Sequence, residues 1–285
     1  MARTHATAPV ARGVEPLTLV AALLMCLAAP AFYVVQIWWA GFALVAASIA
    51  VAAVSDRRDP AGLRRETGLT RDLSLIAIGL LIVASMSMEA KLDDWSMVRF
   101  TLVLGGAVAV PYLVSRFVYR DHAIRFPWRG GGRWGRLQWA WLVAVLLLGW
   151  LILPFYFVTS GVYLNWPVVD TPNLIARLFV GVGAVGIWDE LFFICTVFAL
   201  LRRHLPDAVA NALQAIVFVS FLWELGYREW GPVLTIPFAL LQGVIFLRTR
   251  SLAYVVTVHL LFDAVVFLVL VHGHNPGVLD GLFLV

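Results

Sequence analysis

The chain has 285 residues, of which 62% are hydrophobic and 13% charged, and its mean hydropathy of +0.89 lies far outside the range of a water-soluble domain. It has to be solvated by lipid, which excludes soluble enzymes and carriers. The formal charge of +4 does not indicate a nucleic-acid binder, because the basic residues flank hydrophobic runs instead of forming one patch.

In chain order, residues 1–15 form a polar N-terminal tail, and the apolar run after them is too long for the core of a cleaved signal peptide. Runs long enough to approach a bilayer crossing, about 20 residues each, follow at 16–35, 37–55, 73–90, 101–119, 137–160, 174–201, 207–227, 231–247 and 251–271. The expected fold is therefore an all-α polytopic bundle of eight to nine spans. It divides into the tail, N-terminal helices over 16–170 and a C-terminal core over 171–285. Tryptophans near predicted span ends, among them Trp38, Trp39, Trp95, Trp128, Trp134, Trp166 and Trp230, fit an interfacial belt.

Alternate connections carry very different charge. Arg3, Arg12, Arg57, Arg58, Arg64, Arg65, Arg71, Arg116, Arg120, Arg125, Arg129, Arg133, Arg136, Arg202, Arg203, Arg248 and Arg250 fall on one side, 17 of the 21 basic residues. Lys91, Arg99, Arg177 and Arg228 fall on the other. Positive charge stays inside, so the N-terminus is expected in the cytoplasm and the membrane is expected to be the plasma (inner) membrane. The basic glycine-rich stretch Arg129–Arg136 follows no strand and lacks a Lys-Ser/Thr pair, so it reads as a contact with anionic headgroups, not as a phosphate loop. Membrane lipids are the expected surroundings of the whole chain.

Cys26 and Cys195 both lie in apolar runs and read as packing thiols. Asn211, Gln214 and Gln242 read as interhelical hydrogen-bond partners, and His204, His272 and His274 as solvated residues at span ends.

Ionisable side chains inside a span cost about 2.5–3.5 kcal/mol each on insertion scales and so require a reason. Five occur in the C-terminal half: Asp189 and Glu190 in Trp188-Asp-Glu-Leu-Phe-Phe-Ile-Cys195, Glu224 in Ser220-Phe-Leu-Trp-Glu-Leu225, and His259 and Asp263 in Thr257-Val-His-Leu-Leu-Phe-Asp263. His259 and Asp263, four apart, share a helix face. Asp189 and Glu190 diverge by about 100° on a regular helix, so one of them, Glu190, is expected to aim at a shared site. Such a cluster can hold a divalent metal, or it can activate a water by general-base action. Glu224 has a second reading, a pair with Arg228 one turn on.

These elements resemble the CAAX protease and bacteriocin-processing (CPBP) intramembrane proteases. The family pattern is Glu-Glu-x-x-x-Arg, then Phe-x-x-x-His, then His-x-x-x-Asn. Here Asp189-Glu190-Leu-Phe-Phe-Ile194, Ser220-Phe-Leu-Trp-Glu224 and His259-Leu-Leu-Phe-Asp263 are similar to the three elements in order and framing. The resemblance runs over roughly residues 180–270. Glu190 and His259 match the family's polar positions, whereas Asp189, Ile194, Glu224 and Asp263 stand where the family has Glu, Arg, His and Asn.

The resemblance implies an endopeptidase acting on membrane-tethered or lipidated peptides. Catalytic roles fall to Glu190, which activates a water, to His259, which steadies the oxyanion or binds a metal, and to Asp189. Losing Arg and gaining acids adds negative charge that protons or a cation must neutralise. A divalent metal (Zn, Mn or Fe) held by Glu190, Glu224, His259 and Asp263 is the corresponding expectation. The departures leave a non-catalytic membrane binding or regulatory protein as the alternative.

Overall fold

The computed structural model describes residues 15–58 and 68–285. Most of the N-terminal tail, together with Arg64 and Arg65, lies outside the described residues. Among the described residues nine long helices follow in order: α1 (Pro16–Tyr33), α2 (Trp38–Arg57), α3 (Leu69–Val83), α4 (Asp94–Val118), α5 (Arg136–Thr159), α6 (Pro172–Leu201), α7 (Asp207–Leu225), α8 (Gly231–Thr249) and α9 (Leu252–His274). All but α3 are long and apolar enough to cross a membrane. The chain is an integral membrane helical bundle.

Local chemistry sets the helix ends. The Asp93 carboxylate accepts the Ser96 N–H at 3.0 Å and starts α4, while Thr171 followed by Pro172 starts α6. Ser251 caps α9 through the Tyr254 N–H. Gly226, with φ of 135°, ends α7.

The span expected at 73–90 is instead a 15-residue helix that stops at Val83, followed by a non-helical stretch to Asp93. The Ser85 hydroxyl turns back to the Ile82 carbonyl, competing with the helical ladder, and the Met88 N–H is taken up by Glu224. Irregular backbone of this kind is tolerated at membrane depth when protein surrounds it, and Met88 is buried.

Contacts among the connections define the two ends of the bundle. At one end, Asp56 accepts the N–H groups of Leu69 and Thr70. Buried Asp72 binds Arg203 at 3.0 Å and His204 at 2.6 Å, and Arg203 also pairs with Asp121. The Leu252 N–H reaches the Pro127 carbonyl. Gly130 and Gly131 press against the carbonyls of Arg250 and Thr249, where a Cβ would collide. Close backbone packing therefore accounts for two of these glycines. His204, expected to be solvated, is buried against Asp72. At the other end, Glu224 meets Met88, Asn165 meets the Gly226 carbonyl and Tyr156 meets the Arg228 carbonyl.

Helices α6, α7 and α9 carry the buried centre. An aromatic block fills it, with Trp188 stacked on Phe192 at 5.0 Å and Phe193 on Phe218 at 4.4 Å. The Trp188 indole N–H finds the Leu104 carbonyl on α4 at 2.7 Å. Lipid-facing positions such as Leu137, Leu147 and Phe117 stay exposed, as a bilayer solvent requires. Trp39 and Trp95 are exposed near span ends, whereas Trp166 is buried under the turn at Gly226.

Candidate active site

His259 projects from the middle of α9 into the gap between α6 and α8. Its Nδ1 lies 2.7 Å from Oε1 of Glu190, and that same oxygen accepts from the Gln242 amide at 2.6 Å. An oxygen already accepting from an amide leaves the ring nitrogen to donate, which places the hydrogen on Nδ1 and, in the neutral ring, the lone pair on Nε2.

Nε2 looks the other way. Asp189 Oδ2 stands 3.5 Å from it and Asp263 Oδ1 3.8 Å, both too long for good direct hydrogen bonds and suited to a bridging water.

Neighbouring acids on a regular helix diverge, and only Glu190 was expected to aim inward. In the structure both Asp189 and Glu190 reach the same imidazole, one at each nitrogen. From Glu190 to Phe198 the backbone takes the wider π-helical winding, a local change that often accompanies functional sites. The ring itself bridges the divergence, because its two nitrogens face apart. Gly186, one turn before Glu190, allows the approach: a Cβ there would collide with Asp263 Oδ2 and press on His259.

All four side chains are buried, Glu190 completely. Asp189 Oδ1, Glu190 Oε2 and Asp263 Oδ2 make no hydrogen bond among the described residues. Among those residues no Lys or Arg pairs with the three carboxylates, and the imidazole is the one basic side chain against them. Ile194, at the position of the family's Arg, is packed in the core.

A cavity of about 330 Å³ ends at this cluster. Asp189, His259 and Asp263 line its inner end, and Phe100, Leu104, Leu178 and Val182 make its walls apolar. Glu190 is not part of the lining; it sits behind the ring. Helix α4 supplies one wall through Phe100, Thr101 and Leu104.

Tyr227 also lines the cavity and escaped sequence reasoning. The Gly226 turn swings it inward from the end of α7, and its ring packs edge-on against Phe157 at 5.6 Å and Trp166 at 5.2 Å. Burial, with the negative charges of Asp263 and Asp189 adding to it, pushes the phenol well above the usual tyrosine range. It therefore keeps its proton and can donate.

Glu224 goes elsewhere. Its Oε1 accepts the Met88 N–H at 3.2 Å, and it does not line the cavity. Among the described residues no group of three or more His, Cys, Asp or Glu is placed to hold a metal ion. The expected four-ligand set of Glu190, Glu224, His259 and Asp263 is not assembled among the described residues.

Fold and site together define a polytopic membrane protein with a buried imidazole clasped by carboxylates at the end of an apolar cavity. Residues 171–265, about a third of the chain, match the family model described as type II CAAX prenyl endopeptidase Rce1-like, over the same region in which the sequence resembles the CPBP proteases. No curated protein and no solved structure matches the chain.

Proposed function

We propose that the chain is an intramembrane endopeptidase that cleaves membrane-tethered or lipidated peptides, with Asp189 and His259 activating the water. The observation carrying this reading is the two-sided clasp of His259, with Glu190 at Nδ1 and Asp189 and Asp263 on the cavity side of Nε2. The water-activating role expected of Glu190 moves to the pair that faces the cavity, and Glu190 becomes the positioning residue of the ring.

In this mechanism a water at the inner end of the cavity gives one proton to Nε2 while Asp189 accepts a hydrogen bond from the other. The resulting hydroxide attacks the scissile carbonyl. Glu190 at one nitrogen and the two aspartates at the other stabilise the imidazolium as it forms. The Tyr227 O–H donates to the developing oxyanion, a role the resemblance implied for His259, which here serves as the base. The imidazolium then returns its proton to the leaving amine, and the peptide bond has been exchanged for a carboxyl and an amine. The apolar walls suit the lipid or hydrophobic part of the substrate.

Hydrolysis of lipid-anchored fluorogenic peptides by purified protein in proteoliposomes tests the reading. Cleavage by the parent and its loss in Asp189→Asn and His259→Ala, both still inserted and folded, support it. A second reading rests on Ile194, Glu224 and Asp263 standing where the family has Arg, His and Asn: a non-catalytic binder of the same peptides. Binding without cleavage by the parent would favour it.

A further inference from the structure

The cavity lining extends from the cluster toward one end of the bundle. From Asp189, His259 and Asp263 it runs toward Ala90, Lys91 and Leu92, past Met97 at the start of α4. Beyond the cluster in the opposite direction the bundle is filled, with Phe192, Phe193, Phe198 and Phe218 all buried.

The connection that this lining reaches, Ala90 to Leu92, belongs to the arginine-poor end of the bundle. Arg203 ties the start of α3 to Asp121 after α4, and the Leu252 N–H ties the start of α9 to Pro127, so the arginine-rich connections gather at one end through direct contacts. The segment carrying Lys91 sits at the other end, held by the contacts of Met88 with Glu224 and of Leu92 with Arg177. Arginine-rich connections stay on the cytoplasmic side.

We propose that the cavity fills from the non-cytoplasmic face, and that its substrate is a lipid-anchored peptide presented on that side of the membrane. The identity of the substrate rests on the endopeptidase reading, while the side of entry does not. Lys91 is a cationic residue in the cavity lining at this mouth, and its exposed pairing with Glu89 at 3.2 Å is weak enough to yield to an anionic group. The carboxylates at the inner end repel an anionic group, so the anionic end of such a peptide stays near Lys91 and its apolar part lies between α4 and α6.

Single cysteines placed at Lys91, Thr101 and Arg133, treated with a membrane-impermeant maleimide, read the side of entry directly. The native Cys26 and Cys195 are fully buried. In intact cells Lys91→Cys at the mouth and Thr101→Cys on the cavity wall should be labelled, and Arg133→Cys only after permeabilisation. Glu89→Cys, on the same segment and exposed, serves if Lys91→Cys accumulates poorly. Labelling of Arg133→Cys in intact cells, or of the mouth and wall cysteines only after permeabilisation, overturns the proposal. The labelling pattern needs no hydrolysis, so a chain that cleaves nothing still reports the side of entry. A reversed pattern in a chain that cleaves refutes this inference and leaves the endopeptidase reading standing.

Discussion

Glu190 and His259, 69 positions apart in the chain, meet at 2.7 Å through one carboxylate oxygen that Gln242 also holds. The second amide contact fixes the direction of the ring hydrogen bond and so exposes Nε2 to the cavity. Glu190→Gln keeps an acceptor for Nδ1 but removes the charge that stabilises the imidazolium. The expected result is a fall in kcat of about 10²-fold or more with KM little changed. A rise in KM at unchanged kcat would place Glu190 in substrate binding instead.

Tyr227→Phe keeps the ring that packs on Phe157 and Trp166 and removes the donor alone. Loss of one oxyanion donor typically lowers kcat by about 10²–10³-fold. Steady-state kinetics on a cleavable lipid-anchored peptide check this, and parent-like turnover would remove Tyr227 from the mechanism.

Gly186→Ala adds a methyl group against Asp263 Oδ2, whereas Gly183→Ala on the same helix adds it to open space. Alanine favours a helix over glycine by about 1 kcal/mol, so both variants should fold. Activity should be lost in Gly186→Ala and retained in Gly183→Ala. Equal activity in the two would mean that the contact between α6 and α9 at this point does not shape the site.

Much of the fold can be read in the sequence because a bilayer permits few solutions. Apolar runs mark the helices, and the arginine distribution marks the end at which Asp72, Asp121 and Arg203 meet. The four-residue spacing of His259 and Asp263 places them on one face, as the geometry has it. What local spacing cannot show is long-range convergence. Local spacing brings neither Gln242 to Glu190 nor Tyr227 to the cavity, since the first is placed by the packing of α8 on α6 and the second by the turn at Gly226. The 100° rule misjudged Asp189 because it treats the target as a point, and an imidazole has two opposed edges. Glu224 was drawn into the site by its place in the motif, while the irregular stretch after α3, which claims it, has no apolar period to reveal it.

Glu224 separates these two views experimentally. Glu224→Ala leaves the buried Met88 N–H without a partner, at a cost of about 1–3 kcal/mol, and should lower the unfolding temperature in detergent. Elemental analysis of the purified parent and Glu224→Gln should give the same divalent-metal content. Loss of a metal equivalent in Glu224→Gln would restore the four-ligand site.

The clamp at the arginine-rich end carries a stability prediction. Asp72→Ala leaves Arg203 and His204 without their buried partner, and breaking such a pair costs about 3 kcal/mol or more. Thermal unfolding of the purified protein measures it, and an unchanged midpoint would show that the pair adds nothing to the fold.

The most direct measurement compares cleavage of a lipid-anchored peptide by the parent, Asp189→Asn and His259→Ala in proteoliposomes, each variant first shown to insert and unfold like the parent. Cleavage by the parent and at least a 10²-fold loss in both variants is the predicted result, because the proposed mechanism has both side chains act on one water. Full activity in either variant would contradict the assignment of water activation to Asp189 and His259.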